Sequence, residues 1–177
     1  MMKYYNIPLI NRLLLAAVSG ALVFPISYLE NLNRTIYADI SLIDILIGII
    51  FAVLVMVPFQ KRKNWLKSVL MIIASIAIYT SMVNLAVNNY KVFSLNLNIE
   101  WAITVSGGLG ALLTGIAVKL IAQIRLANSA YPLLIILGLV AGYIFSITID
   151  AQSSMVNAVG FIVWQVLTCL AIAVSKK

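Results

Sequence analysis

Six long apolar stretches, separated by short polar connections, dominate this sequence. A helix needs roughly 20 apolar residues to cross the hydrocarbon core of a bilayer, which is about 30 Å thick. Hydrophobic residues make up 63% of the 177 residues and charged residues only 10%, and a soluble domain could not cover so much apolar surface. The sequence therefore predicts an all-α, polytopic membrane helix bundle with six transmembrane helices, forming a single transmembrane domain over residues 1–177. The predicted spans are residues 9–29, 41–59, 65–87, 101–124, 132–149 and 157–174.

The charged residues are segregated between the two sides that six spans would create. Because basic residues concentrate in the cytoplasmic connections of membrane proteins, this pattern predicts that both termini are cytoplasmic, in a bacterial cytoplasmic (inner) membrane. The predicted cytoplasmic side holds most of the basic residues: Lys3, Arg12, Lys61, Arg62, Lys63, Lys67, Lys119, Arg125, Lys176 and Lys177. The other side holds Arg34 and Lys91 with all five acidic residues, Glu30, Asp39, Asp44, Glu100 and Asp150.

A basic cluster, Lys61, Arg62 and Lys63, lies in the connection between the second and third predicted spans. Basic residues beside a span attract anionic lipid headgroups, each contributing about 1 kcal/mol near the membrane surface. A nucleic-acid or protein docking site is the alternative, but one short connection offers little surface for it. The cluster therefore predicts contact with anionic headgroups, the lipid bilayer as the main partner, and no nucleic acid.

Two outer connections show alternating apolar and polar residues. In residues 94–100, Leu95, Leu97 and Ile99 alternate with polar side chains, and residues 35–42 show a similar pattern. Alternation with a period of two is typical of half-buried extended segments. These short outer connections are thus candidates for a small β-pair that covers the bundle. Irregular connections at the membrane surface are the alternative.

Small residues recur at four-residue spacing in three of the predicted spans. Lipid does not drive helices together, so close packing relies on small side chains at the contact. The spacing predicts that the first, fourth and fifth spans pack closely, either within one bundle or between subunits of a homo-oligomer or larger complex. The predicted packing residues are Gly20, Ser106, Gly107, Gly110, Ala111, Gly115, Gly138 and Gly142.

Polar residues are concentrated in the outer halves of the predicted spans, whereas residues 46–57 and 133–140 contain no polar side chain. Polar groups are costly in hydrocarbon, so their depth is informative. The asymmetry argues against a continuous aqueous pore and favours an outward-facing polar pocket. Its predicted ligand-binding residues are Asp44, Thr80, Asn84, Asn88 and Asp150. The alternative is that these groups bond to one another or lie at headgroup depth.

The sequence lacks the residues that several kinds of catalysis and metal binding require. The sequence contains no His and a single Cys, Cys169, so it offers neither a His-ligated metal site nor a disulfide within the chain. No metal and no cofactor is predicted. Asp44 and Asp150 could form an aspartyl dyad at the outer face, but neither lies in a recognised catalytic motif. An enzyme is therefore not favoured, although the sequence leaves it open.

Three classes of function remain open on the sequence alone. The first, which the polar pocket favours, is a small transporter or channel-type subunit that binds a solute from outside. The second is a non-catalytic accessory, assembly or immunity subunit of a larger membrane complex. The third is an intramembrane enzyme that uses the aspartyl dyad, which the absence of supporting motifs disfavours.

Overall fold

The computed structural model describes residues 7–27, 35–37, 40–60, 64–92, 99–149 and 154–176, and these are almost entirely helical. The α-helices are α1 (Leu9–Ala21), α2 (Val23–Ser27), α3 (Leu42–Phe51), α4 (Trp65–Val92), α5 (Ile99–Ala122), α6 (Ala130–Ile149) and α7 (Ser154–Val174). A π-helix (Ala52–Met56) and a 3-10 turn (Val57–Phe59) continue α3. Strands β1 (Thr35–Tyr37) and β2 (Ile40–Ser41) form a short antiparallel pair before α3.

Five helical segments of the described chain are long and apolar enough to cross a membrane. They are Leu9–Ile26, Leu42–Phe59, Trp65–Ala86, Ile99–Ala122 and Ala130–Thr148. These segments confirm the prediction of a helical membrane bundle, and they mark the chain as an integral membrane protein. The predicted sixth span corresponds to α7. Its apolar part, Val159–Val174, is shorter than the other five segments. Six spans, in place of five, therefore stay a prediction.

The helices form a ring that follows their order along the chain. Each of α3 to α6 packs against the next helix, and α7 returns to pack against α1. Contacts of α1 with α3 and with the π-helix close the ring. Short connections favour packing between consecutive antiparallel helices. The contact between α1 and α7, in contrast, joins the first helix to the last.

The two ends of the ring differ in charge. One end of the ring, where α1, α4 and α6 begin, carries Arg12, Lys67, Lys119 and Arg125. We call it the basic end. Asp44 and Glu100 lie in the first turns of α3 and α5 at the opposite end, the acidic end. The predicted headgroup cluster Lys61, Arg62 and Lys63 lies outside the described residues.

Two spans depart from regular α-helix, and proline is involved in both. In the first, Pro25 follows the break at Leu22 that separates α1 from α2. In the second, the Val57 N–H bonds to the Ala52 carbonyl, five residues back, just before Pro58. Proline has no N–H to donate and its ring crowds the preceding turn, so the helix there must rearrange.

The described strands lie within one of the two connections that showed alternation. Thr35 pairs with Ser41, and Tyr37 pairs with Ile40. The other alternating segment, residues 94–100, lies outside the described residues up to position 98. The predicted β-pair that covers the bundle therefore stays a prediction, and the described strands pair within a single connection.

Helices α5 and α6 approach each other closely. An ideal Cβ atom on Gly107 would lie 2.6 Å from the carbonyl oxygen of Gly138, and one on Gly142 would lie 2.8 Å from the carbonyl oxygen of Thr104. Contacts this short leave no room for a side chain, so α5 and α6 meet backbone to backbone. On α1, Gly20 lies against the backbone of Ile162 on α7.

The remaining small residues of the predicted stripes have different neighbours. Gly110 faces the side chains of Trp164 and Met82, and Gly115 faces Leu134. Ala111 is buried, and Ser106 is buried with its hydroxyl donating to the Ala102 carbonyl at 2.7 Å. The helix partners of these residues lie within this chain.

The apolar core occupies the basic half of the ring. Its largest fully buried side chains include Phe59, Met56, Met71 and Leu134. Gln60 is buried beside them, and its side-chain amide donates to the Ser68 hydroxyl at 3.0 Å, which ties the turn before α4 to that helix. The packed core thus lies toward the basic end of the ring.

Candidate ligand-binding cavity

A cavity of about 100 Å³ lies inside the ring and extends from mid-bundle toward the acidic end. Its wall comes from five helices, α3 to α7. The lining residues that lie nearest the acidic end are Ala86 on α4, Ile103 on α5, Phe145 on α6 and Gly160 on α7. The cavity is therefore a half-open pocket between the helices, which extends from mid-bundle toward the acidic end.

Aromatic rings from four helices line this cavity. The ring of Phe161 lies between two others, with centroid distances of 4.8 Å to Phe145 and 6.0 Å to Tyr79. Phe51 and Trp164 form a second pair, with centroids 5.3 Å apart. All the pairs are tilted, an arrangement that aromatic rings favour. The wall is almost entirely apolar.

Glycine residues make room for these rings. Phe145 lies directly on Gly160, where a Cβ atom would overlap its ring. Trp164 lies against Gly110, where a Cβ would be 3.1 Å from the indole, and its Nε1–H donates to the Gly107 carbonyl at 3.0 Å. This bond satisfies the only polar atom of the indole and connects α7 to α5 across the ring.

The few polar groups on the cavity wall bond mostly to backbone. The Ser75 hydroxyl donates to the Gly48 carbonyl at 2.7 Å, which links α4 to α3. The Ser106 hydroxyl donates within its own helix. Thr114 differs, because its hydroxyl is buried and no other atom of the described chain bonds to it. Thr114 thus contributes a buried hydroxyl that is unpaired within the described chain.

Three of the five predicted ligand-binding residues have described side chains, and none of the three lines the cavity. The Thr80 hydroxyl donates to the Ile76 carbonyl at 2.8 Å, and the Asn84 amide donates to the Thr80 carbonyl at 3.1 Å. Asp44 lies within electrostatic range of Tyr79, which does line the cavity. The side chain of Asn88 and the whole of Asp150 lie outside the described residues.

The aromatic cavity is therefore distinct from the predicted polar pocket, and the polar pocket stays a prediction because two of its side chains lie outside the described part of the chain. The aromatic wall had a signal in the sequence: Phe161 and Trp164 are three residues apart in mid-span, next to Gly160. In a bundle helix that spacing places both rings on one face. Aromatic residues in mid-span are usually packing residues, and only the partner helices distinguish a packed ring from a cavity wall.

The described side chains offer little catalytic or metal-binding chemistry. Within the described ranges no group of three His, Cys, Asp or Glu side chains lies close enough to hold a metal ion. Cys169 is buried, and its thiol donates to the Arg12 carbonyl at 3.7 Å between α7 and α1. The proposed dyad of Asp44 with Asp150 is not tested, because Asp150 is outside the described residues.

Comparison with known proteins yields no relative. No protein-family model matches this sequence, and neither a curated protein nor a solved structure matches the chain. The function must therefore be argued from the geometry of the cavity.

Proposed function

We propose that this protein is a small solute-binding membrane subunit of transporter or channel type, and that its cavity takes a small apolar molecule or the apolar part of a larger solute. The observation that carries the proposal is the aromatic cavity inside the helix ring. Small-molecule sites are typically concave, lined by hydrophobic and aromatic side chains, with few polar groups. Thr114 is one of the few polar residues of this lining.

The size of the cavity limits the ligand. An engineered apolar cavity of about 150 Å³ in another protein stays dry and binds benzene. The cavity here, at about 100 Å³, therefore suits a group no larger than a small ring or a short branched chain. A larger solute would place only its apolar end there and extend its polar part toward Asp44 and the acidic end.

The charge distribution supports an orientation with the acidic end outside. Arg12, Lys67 and Arg125 mark the basic end, where the positive-inside rule expects the cytoplasm. Because α7 has 21 residues, it is long enough to make the sixth crossing and to return the chain to the cytoplasm. In this arrangement the cavity lies in the outer half of an inner membrane, and residues 61–63 contact anionic headgroups.

Toluene is the simplest probe of the cavity. We expect it to raise the thermal midpoint of the purified protein saturably, because a ligand that binds the folded state stabilises it. Ala86→Leu places a larger side chain on the cavity wall and should remove most of that gain. Ala77→Leu is the matched control, since Ala77 lies on the same helix with an exposed side chain, and it should keep the full gain.

The two alanine variants separate binding in the cavity from effects on the detergent micelle. An equal response of Ala86→Leu and Ala77→Leu to toluene would contradict the proposal. If instead toluene has no effect and the protein loses stability when a co-purifying membrane protein is removed, the accessory, assembly or immunity function would replace it.

A charged analogue tests whether Asp44 lies at the polar end of the site. Benzylamine carries the same ring as toluene with an added ammonium group, which a nearby carboxylate would attract. We expect Asp44→Asn to reduce the stabilisation by benzylamine while leaving that by toluene unchanged, in thermal unfolding at neutral pH. Equal losses for both ligands would mean that Asp44 acts on the fold and not on the ligand.

A further inference from the structure

A second pocket, of about 400 Å³, opens at the basic end between the start of α1 and the end of α7. Its wall includes Pro8, Leu9 and Arg12 from the start of the first span, Phe59 from the 3-10 turn, and Val174 and Lys176 from the end of the described chain. It is separate from the aromatic cavity and shares no lining residue with it.

Arg12 is the central feature of this pocket. Its side chain is only 8% exposed, and its guanidinium lies 4.4 Å from the centroid of the Phe59 ring. The Nε–H donates to the Ile7 carbonyl at 3.2 Å, whereas Nη1 is buried and has no hydrogen-bond partner among the described residues. Leaving a buried charged donor without an acceptor is costly. The N–H groups of Nη1 are thus unpaired within the described chain.

The surroundings of Arg12 are positively charged. The first turn of α1 begins after Pro8 without a side-chain cap, so its backbone N–H groups add the positive end of a helix dipole. Lys176 contributes a further positive charge to the wall. Within the described ranges the acidic residues are Asp44 and Glu100, and both lie at the opposite end of the ring.

We propose that this pocket binds the phosphate group of an anionic phospholipid, with the free Nη1 of Arg12 donating to a phosphate oxygen. Guanidinium groups and helix N-termini are both established partners of phosphate. Basic pockets between membrane helices bind anionic headgroups. Arg12 lies in the first turn of a span, at headgroup depth, and the pocket wall is continued by the exposed apolar side chains of Leu9 and Val174. These side chains suit acyl chains and offer nothing to a free phosphate ion.

Native mass spectrometry of the purified full chain in detergent tests the proposal. Phosphatidylglycerol should remain bound in preference to phosphatidylcholine. Arg12→Gln should weaken the retention of phosphatidylglycerol by about tenfold or more, the effect of losing a charge-assisted hydrogen bond. Arg125→Gln, which removes an exposed charge at the same end of the ring, should change it by less than about twofold.

Two further comparisons keep the result interpretable if Arg12→Gln does not fold. Ala173→Phe places a ring on the pocket wall while Arg12 remains, and it should also abolish lipid retention. Arg12→Lys keeps the charge and should retain an intermediate affinity. No preference for the anionic lipid, or unchanged retention in a folded Arg12→Gln or Ala173→Phe variant, would overturn the site. Displacement of the lipid by inorganic phosphate at equal concentration would show that the pocket binds free phosphate and not a phospholipid.

Discussion

Replacing Gly107 by alanine is expected to lower the free energy of unfolding by about 3 kcal/mol, at the upper end of the usual cost of overpacking a core. The new Cβ would lie 2.6 Å from the Gly138 carbonyl oxygen and 2.8 Å from the Gly142 Cα. Both neighbours are backbone atoms and cannot turn away, so α5 and α6 must separate. Denaturant-induced unfolding in mixed micelles, followed by circular dichroism, measures the loss.

Gly108→Ala is the matched control on the neighbouring residue. Its Cβ would lie 3.0 Å from the side chain of Leu139, which can rotate. Alanine is also favoured over glycine in a helix by about 1 kcal/mol, and this gain offsets part of the crowding. We therefore expect a change of less than about 1 kcal/mol. Equal losses at Gly107 and Gly108 would contradict the backbone contact between α5 and α6.

Trp164→Ala is expected to lower the free energy of unfolding by about 3 kcal/mol, the lower end of the usual cost of truncating a core aromatic residue, because Trp164 is only partly buried. The variant loses the contact with the Phe51 ring and the hydrogen bond to the Gly107 carbonyl. It also removes one side of the cavity wall, so the stabilisation by toluene should disappear. Chemical unfolding with and without toluene measures both effects.

Two tryptophan variants distinguish the role of Trp164 from a general effect of losing an indole. Trp65 is 75% exposed at the start of α4, so Trp65→Ala should change the free energy of unfolding by less than about 0.5 kcal/mol. Trp164→Phe keeps a ring but loses the hydrogen bond, and it should cost about 1 kcal/mol from that bond. A loss as large in Trp65→Ala as in Trp164→Ala would contradict the central position of Trp164.

The helical elements of this chain were largely predictable from local composition. The span predicted at residues 65–87 corresponds to α4 (Trp65–Val92), and that predicted at 132–149 corresponds to α6 (Ala130–Ile149). The irregular second span was not predicted, although Pro58 was a visible cause. Continuous apolar sequence determines where a helix can cross a membrane, but a π-turn depends on a proline together with the contacts of the neighbouring helix.

The candidate site was far less predictable. Polar residues in a span drew attention because hydrocarbon penalises them, yet Thr80 and Asn84 donate to carbonyls of their own helix turn. Such local bonds satisfy a polar side chain without any ligand. The cavity instead depends on Phe51, Phe145 and Phe161, which lie on three different helices. These three side chains come together because the ring places their helices around one space, and no single segment of the sequence shows this.

By itself the sequence determined the class of protein, because its apolar stretches have the length and composition that a bilayer requires of a helix. It also determined the separation of basic from acidic residues along the chain. The tertiary structure alone decided which helices are neighbours, where the glycines bring two backbones together, and that α7 packs against α1. It alone placed Arg12 beside Phe59 and left Nη1 without a partner among the described residues. The physical reason is that lipid solvates every apolar helix face alike, so specificity of packing comes from shape and hydrogen bonding between residues far apart in the chain.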